Sequence, residues 1–449
     1  MAWDELVPEI LQNVHLAYFA IGSFLALFGL VSLFIKDKLF MSEAFVATLF
    51  GVLLSSTHVF QPLKELSSSL NTISLEFTRI VLVIQCMAAG ISTPGNYIQR
   101  EWKSLAMLLG PVMISMWLIT ALGMYWILQI PFTEAMIFAA CVTPTDPVLA
   151  NSIVKGRFAE AYVPLHVRLL LSAESAMNDG LGTPLLLLPI YLERYPGTGG
   201  AIGSWLYRVV AYQVLLSIVL GVLFGLGARY ALKYSEKYNL IDKESILSYS
   251  VALALAITGA LALLGTDDIL ASFIAGTILT WDSWFNRLVQ ESHIQEVLDN
   301  LINLLFFIFL GSRVDFDQFT KHFEIYKLIL VALWVLFLRR LPMVMLLRRW
   351  IPALRNDKEA FFWYSFLPSH FQWLVWTDWS GCRFLCDVSR RVFGSRTRAF
   401  IHHCHFYRSF FDCGSWWYRF AFPFWHDTAY SLGSGARSSN DSNSNGGRR

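Results

Sequence analysis

Apolar residues dominate most of the first 350 positions, and polar residues collect in short stretches between long apolar runs. A helix needs about 20 apolar residues to cross the hydrocarbon core of a bilayer. The pattern predicts about eleven such segments, at 14–35, 40–60, 72–92, 104–128, 134–153, 166–192, 206–232, 246–264, 267–281, 298–311 and 326–347. Two of them, 267–281 and 298–311, are short. The chain is therefore predicted to be an all-α polytopic membrane protein.

The composition agrees with a lipid environment and excludes several classes of protein. The 449 residues are 55% hydrophobic and 15% charged, whereas soluble domains carry about 25% charged residues. A net charge of only +2 argues against a nucleic-acid partner. The chain has no phosphate-binding loop of the kind that nucleotide-driven pumps use. Its six cysteines are too few and too scattered for a disulfide framework.

Positive charges between the segments predict an orientation. One set of alternate connecting stretches carries most of them: Lys36, Lys38, Arg100, Lys103, Lys155, Arg157, Lys233, Lys237, Lys243, Arg287, Arg348, Arg349, Arg355 and Lys358. The other set carries few: Lys64, Arg194, Arg313 and Lys321. Because cytoplasmic loops are enriched in Lys and Arg, the N-terminus is predicted to be external. Residues 1–13 lack a basic region and a cleavage site, so no signal peptide is expected.

Segment 134–153 contains Thr143-Pro144-Thr145-Asp146-Pro147. Each proline lacks an N–H and clashes with the preceding turn, so the helix must unwind there. Unwound backbone at this depth is tolerated where it is buried in protein or lines an aqueous cavity. The freed carbonyls and the Thr143 and Thr145 hydroxyls are hard oxygen ligands suited to a small monovalent cation. The alternative is a simple proline kink with Asp146 as a helix N-cap.

Segment 166–192 carries Glu174, Ser175, Asn178 and Asp179. At 100° per residue, Glu174 and Asn178 share one face, as do Ser175 and Asp179. Charged groups at bilayer depth are costly and usually functional. A carboxylate there can hold a proton near neutral pH and exchange it for a cation, and Asp179 is our candidate. Glu174 is alternatively a structural carboxylate, for which Arg339 or Arg340 can supply the cation.

These two motifs, Thr-Pro-Thr-Asp-Pro and Glu-x-x-x-Asn-Asp-Gly, resemble those of sodium/proton antiporters of the monovalent cation/proton antiporter superfamily, specifically its fungal plasma-membrane branch. Gly265-Thr266-Asp267-Asp268-Ile269-Leu270-Ala271-Ser272-Phe273 also resembles a stretch of the fungal members. The resemblance runs from about residue 10 to about 361. It implies an antiporter fold with inverted repeats, 12–13 transmembrane helices, two crossing broken helices in an ion-carrying core, and a scaffold that forms a homodimer.

The resemblance also implies roles for individual residues. Asp179 would be the carboxylate shared by H⁺ and the cation, with Asn178 beside it. Ser175, Thr143 and Thr145 would add oxygen contacts, and Asp146 would support the unwound crossing. Glu174 and Arg340 would form the buried structural ion pair of the family. Asp267 and Asp268 resemble acidic positions linked to transport, although a helix cap after Gly265 explains them equally well.

The implied function is exchange of Na⁺ and Li⁺ for H⁺ across the plasma membrane by alternating access, with K⁺ left open. The ions are transported, and no cofactor, resident metal or enzymatic activity is expected. A second interpretation is an intramembrane aspartyl hydrolase that uses Asp146 and Asp179 as a carboxyl pair sharing a proton. Neither residue lies in the sequence setting of such enzymes, however. A third is a truncated, non-transporting subunit.

The chain departs from this family after about residue 361. Codons exist for Trp373–Leu385 whose next reading frame encodes the glycine-rich helix with which the family continues, and a later stretch can be shifted in the same way. We therefore predict an exchanger domain at 1–361 that lacks its last core helices, a frameshifted segment at 362–430 and a disordered tail at 431–449. His402, His403, Cys404 and His405 match no standard zinc spacing, so no metal site is predicted.

Overall fold

The computed structural model describes residues 9–38, 43–56, 67–94, 96–145, 163–282, 284–285, 294–312 and 324–355. These residues form helices joined by turns, with no strand among them. In chain order the helices are α1 (Glu9–Lys38), α2 (Glu43–Ser56), α3 (Ser67–Ser92), α4 (Tyr97–Arg100), α5 (Trp102–Leu128), α6 (Phe132–Val142), α7 (Leu165–Arg194), α8 (Thr198–Lys237), α9 (Lys243–Leu264), α10 (Asp268–Leu279), α11 (Ile294–Ser312), α12 (Ile325–Trp350) and α13 (Pro352–Arg355). The predicted all-α class is confirmed.

The described helices overlap all eleven predicted segments. Among the described residues, four stretches are long and apolar enough to cross a membrane by length and composition: His15–Ser32 of α1, and helices α5, α8 and α12. The predicted segment 134–153 began two residues too late, because α6 starts at Phe132; α6 ends at Val142, and residues 146–153 of the predicted segment lie outside the described residues. Residue Asp146 and the predicted segments 362–430 and 431–449 lie outside the described residues.

The helices pack in two groups that meet at α7. In the first group α2 packs on α11, while α3 and α8 both pack on α10. In the second group α5 packs on α6, and α12 packs on α5. Helix α7 contacts α6 on one side and α10 on the other. The candidate residues on α7 therefore lie at the boundary between the two groups.

Helix α10 is held by close backbone contacts on two sides. A β-carbon on Gly276 of α10 would lie 2.6 Å from a carbonyl oxygen of α3, and Gly90 of α3 makes the reciprocal approach. On the other side, a β-carbon on Gly221 or Gly225 of α8 would lie 2.7 or 2.8 Å from a carbonyl oxygen of α10. Only glycine permits such approaches, and small residues promote close helix packing in membranes.

Three of the long helices contain π-helical turns: Leu108–Val112 in α5, Leu206–Leu215 in α8 and Val335–Arg339 in α12. In α5 the wider turn contains Pro111, and a proline removes one intrahelical hydrogen bond. Such turns are often found at functional positions. The π-turn of α12 ends at Arg339, one of the two arginines that the sequence offers as partners of Glu174.

Candidate functional site

Helix α6 ends where the sequence predicts that it must. Its last residue is Val142, and Thr143 is the C-cap, 1% exposed. The Thr143 N–H and hydroxyl both donate to the carbonyl of Ala139, at 3.0 and 2.6 Å. Pro144 follows at once and cannot continue the ladder. The helix thus stops inside the protein, and the chain continues through Thr145 as irregular backbone.

Thr145 is bonded to α7 through three of its polar groups. Its N–H donates to Asn178 Oδ1 at 3.2 Å, and its hydroxyl accepts from Asn178 Nδ2 at 2.7 Å. Its carbonyl accepts from the Ser175 hydroxyl at 2.6 Å. The Ser175 and Thr145 hydroxyl oxygens are themselves 3.2 Å apart. This network fixes the irregular end of α6 against the middle of α7.

The side chains of α7 are grouped differently from the prediction. Ser175 and Asn178, three residues apart, together face Thr145, whereas Glu174 faces α12. The prediction paired residues four apart, Glu174 with Asn178 and Ser175 with Asp179. Residues three apart on a helix also lie on one side. Ser175 and Asn178 act together here because Thr145 lies against that side of α7. That position is a tertiary feature and could not be read from the spacing.

Asp179 follows this network on α7 and is half-buried, in contrast to the buried Asn178. The next residue, Gly180, lies against α10. A β-carbon there would be 2.7 Å from Leu270 Cβ and 3.3 Å from Asp267 Oδ2. Asp179 thus directly follows the residue bonded to Thr145 and directly precedes the residue packed on the N-terminus of α10, and its side chain is half-buried.

Two consecutive arginines of α12 reach the two helices of the site. Arg340 donates from Nη1 and Nη2 to the two carboxylate oxygens of Glu174 on α7, at 3.1 and 2.8 Å. Arg339 donates from Nη1 to the carbonyl of Val142, the last residue of α6. All three side chains are buried. Arginine suits this position, because its planar group meets a carboxylate at two points and stays charged.

Asp267 and Asp268 are neighbours in sequence but make different contacts. Asp267 is the N-cap of α10: its Oδ1 accepts from the N–H groups of Ile269 and Leu270, each at 3.1 Å. Asp268 accepts from Arg79 Nε of α3 at 2.7 Å, with both side chains buried. The geometry of Asp267 is that of a helix cap, and that of Asp268 is a buried ion pair. A role of Asp267 or Asp268 in transport stays a prediction.

Sequence reasoning missed Arg79 as the partner of Asp268. Arg79 lies inside the predicted segment 72–92, and a charged residue within an apolar segment calls for a partner. That signal was present in the sequence, but it does not say which of the acidic residues is close. Among the described residues, no group of three or more His, Cys, Asp and Glu side chains could hold a metal. His402, His403, Cys404 and His405 lie outside those residues.

The arrangement combines hard oxygen groups, a half-buried carboxylate and fixed positive charge at the end of an interrupted helix. Hydroxyls and carbonyls of Thr143, Thr145 and Ser175 suit a monovalent cation. Asp179 can bind either a proton or a cation. The guanidinium groups of Arg339 and Arg340 supply fixed positive charge. Such a site can exchange one positive ion for another.

A family model described as "Sodium/hydrogen exchanger, transmembrane" matches residues 17–383. This match begins in α1 and extends past residue 361, into the segment that the sequence analysis set apart. It includes every residue named above as part of the candidate site.

The chain is also similar to curated fungal proteins. It is 40% identical over 376 residues to "Na(+)/H(+) antiporter 2" of Zygosaccharomyces rouxii, covering 82% of this chain and 46% of that protein. It is 32% identical over 375 residues to a "Na(+)/H(+) antiporter" of Schizosaccharomyces pombe, covering 82% of this chain and 79% of that protein. The chain thus spans less than half the length of the first relative.

Among solved structures, the sodium proton antiporter MjNhaP1 from Methanocaldococcus jannaschii has a similar fold. The TM-score is 0.62, and the match covers 91% of this chain and 96% of that one at 16% sequence identity. At this identity the similarity concerns the fold alone. It agrees with the antiporter fold that the resemblance of the two sequence motifs implies.

Proposed function

The chain belongs to the sodium/hydrogen exchanger family, and from that membership and the site geometry we propose that it exchanges Na⁺ for H⁺ across the plasma membrane. Li⁺ is proposed as a second substrate, and K⁺ is left to measurement. The names of the fungal relatives support the substrate, and the resemblance of the sequence motifs to the fungal plasma-membrane branch supports the location. The predicted external N-terminus and the homodimer belong to the same proposal.

One observation carries the proposal: the interrupted end of α6 is bonded through Thr145 to Ser175 and Asn178, directly beside Asp179. A broken helix leaves unpaired backbone carbonyl groups at membrane depth, and these groups can coordinate a cation. The polar atoms of Thr145 are engaged with α7 in this structure. We therefore assign Thr145, Ser175 and Asn178 first to holding α6 and α7 together, with ligation of a cation requiring that some of these bonds exchange partners.

In the proposed cycle, a proton binds Asp179 from the more acidic side of the membrane. The second helix group (α5, α6 and α12), together with α7, then shifts against the first group (α2, α3, α8, α10 and α11). At the opposite face a cation displaces the proton, and the return shift carries the cation across. Because Asp179 cannot hold both ions at once, the two movements are coupled. An acidic exterior would drive Na⁺ outwards.

Asp146, which lies outside the described residues, is proposed to support the unwound segment.

Proteoliposomes with a trapped pH-sensitive dye test the proposal. Addition of Na⁺ or Li⁺ should alkalinise the compartment from which protons leave, and Asp179→Asn should abolish the signal while the protein stays folded. The matched control is Asp282→Asn, because Asp282 is an exposed aspartate outside the site, paired with Arg229 and Lys233. It should keep exchange. Cation-dependent flux that persists in Asp179→Asn would refute the site, and absence of flux in the folded wild-type chain would refute the function.

A further inference from the structure

Arg339 makes a contact that the exchange cycle does not use. Its Nη1 donates to the Val142 carbonyl at the end of α6, and its side chain is only 2% exposed. Its neighbour Arg340 pairs with a carboxylate, Glu174 on α7. One short segment of α12 thus joins both helices of the site, α6 through a backbone carbonyl and α7 through a side chain.

The local sequence of α12 explains how both arginines reach inwards. In a regular helix consecutive residues point about 100° apart. Here Pro342 lacks the N–H that would bond the carbonyl of Leu338, and α12 widens into a π-turn over Val335–Arg339. Before this turn the helix is anchored on α5, because Trp334 Nε1 donates to the Ile119 carbonyl at 3.0 Å. The turn buries Arg339 and Arg340 together.

The end of α6 carries a partial negative charge. The last carbonyls of a helix lack intrahelical donors, and the helix dipole places about half a negative charge there. Thr143 satisfies the Ala139 carbonyl, and Arg339 satisfies that of Val142. Val142 directly precedes the Thr143–Thr145 turn that holds the candidate oxygen ligands. A full positive charge is therefore fixed where the helix end would otherwise attract a cation.

We propose that Arg339 is a positioning residue that sets the cation affinity of the site. It holds the carbonyl end of α6 on α12, and its permanent charge weakens cation binding at the adjoining turn so that the ion can leave. In a poorly screened interior such a charge acts over several ångströms. The inference rests on the proposed Na⁺/H⁺ exchange. It separates the two arginines: Arg340 stabilises the fold through Glu174, whereas Arg339 tunes the ion site.

Two substitutions at position 339 separate the charge from the planar guanidinium group. Arg339→Gln keeps an N–H donor and removes the charge, and Arg339→Lys keeps the charge and loses the planar group. The matched control is Arg348→Gln, because Arg348 Nε also donates to a backbone carbonyl, that of Leu354 at 3.2 Å, outside the site. Na⁺ affinity is measured from the Na⁺-dependent thermal stabilisation of purified protein. KM and maximal rate are measured in proteoliposomes.

Arg339→Gln should bind Na⁺ about tenfold more tightly, with a lower KM and a lower maximal rate because release slows. Arg339→Lys should stay within about threefold of the wild-type affinity, and Arg348→Gln should match the wild type in both assays. A purely structural role would lower the yield or melting temperature of Arg339→Gln and leave its Na⁺ affinity unchanged, which overturns the inference.

The Lys variant tests the inference independently if Arg339→Gln does not yield folded protein. A large change in Na⁺ affinity in Arg339→Lys would show that the planar guanidinium group, not the charge, sets the affinity, and would overturn the proposal. If the wild-type protein exchanges ions and Arg339→Gln keeps wild-type affinity, only this inference fails. If the folded wild-type protein neither exchanges ions nor responds to Na⁺, the proposed function fails with it.

Discussion

Glu174 of α7 and Arg340 of α12 form a two-point ion pair, with Nη1–Oε1 and Nη2–Oε2 distances of 3.1 and 2.8 Å. The residues are 166 positions apart in sequence, and their side chains are 5% and 1% exposed. A buried pair of this kind contributes little net stability over apolar residues of equal size, but removal of one partner is costly. The pair therefore fixes the position of α7 relative to α12.

Glu174→Ala should destabilise the protein by about 3–5 kcal/mol, since it removes the carboxylate from a buried guanidinium. Thermal unfolding of detergent-purified protein measures the loss, together with the yield of monodisperse protein. The control is the double substitution Glu174→Leu with Arg340→Met, which removes both charges and should recover much of the stability. A normal melting temperature for Glu174→Ala would contradict the structural role of the pair.

Thr145→Val should impair exchange by removing the hydroxyl that accepts from Asn178 Nδ2. A buried amide left without its acceptor costs about 1–3 kcal/mol, and the end of α6 loses one of its bonds to α7. We expect a lower maximal rate in proteoliposomes and a modest fall in melting temperature. Thr145→Ser keeps the hydroxyl and should retain exchange. Equal rates for the Val and Ser variants would mean that this bond is dispensable.

Gly180→Ala should force α7 away from α10, because its β-carbon would lie 2.7 Å from Leu270 Cβ. Atoms of this kind do not approach so closely, so one helix must move. Exchange should fall by about tenfold or more, as small displacements at a reacting site have large effects. The matched control is Gly227→Ala in α8, where a β-carbon would meet no atom within 4 Å. Similar activity of the two variants would show that this contact does not constrain the site.

Asp282 lies in the turn after α10 and should not shape the pH dependence of exchange. Its partial burial raises the pKa, but hydrogen bonds and charges of Lys233 and Arg229 outweigh that effect and lower the pKa to about 2. A carboxyl whose folded pKa lies below its unfolded value of about 3.8 stabilises the protein above pH 4, and this stabilisation is lost as the pH falls towards 2.

Between pH 5 and 8, therefore, Asp282 stays ionised and its contribution is constant. Asp282→Asn should leave the pH profile of exchange unchanged in shape, with a loss of stability below about 1 kcal/mol because the pair is partly exposed. The measurements are the exchange rate at several pH values and the melting temperature at neutral pH. A shifted profile would mean that this turn is coupled to the ion site.

The local features of the site were predictable from the sequence, because they depend on residues near one another. Pro144 dictates that a helix ends before it, and α6 does end at Val142. Acidic and amide residues within the apolar segment 166–192 predict that α7 carries the ion site. The resemblance to a known family supplied the roles expected for these residues and singled out Arg340 as the partner of Glu174, which spacing alone cannot do.

The contacts between distant segments were not predictable in the same way. Any acidic residue at depth could have paired with Arg79, and the choice of Asp268 depends on how α3 packs on α10. The partner of Arg339 is a backbone carbonyl, and such an acceptor has no signature in a sequence. The grouping of Ser175 with Asn178 likewise depends on where the irregular chain after α6 lies. These are properties of the packed helices.

The glycine contacts around α10 make it a reference point for measuring motion. Backbone that touches backbone on two sides leaves no side-chain layer through which α10 could roll or slide against α3 and α8. Probes placed on α8 and α10 should then keep a constant separation throughout a transport cycle. The distance between a probe on α7 and one on α10 should instead change, and that change gives the displacement of α7 in ångströms. The constant α8–α10 distance serves as the reference.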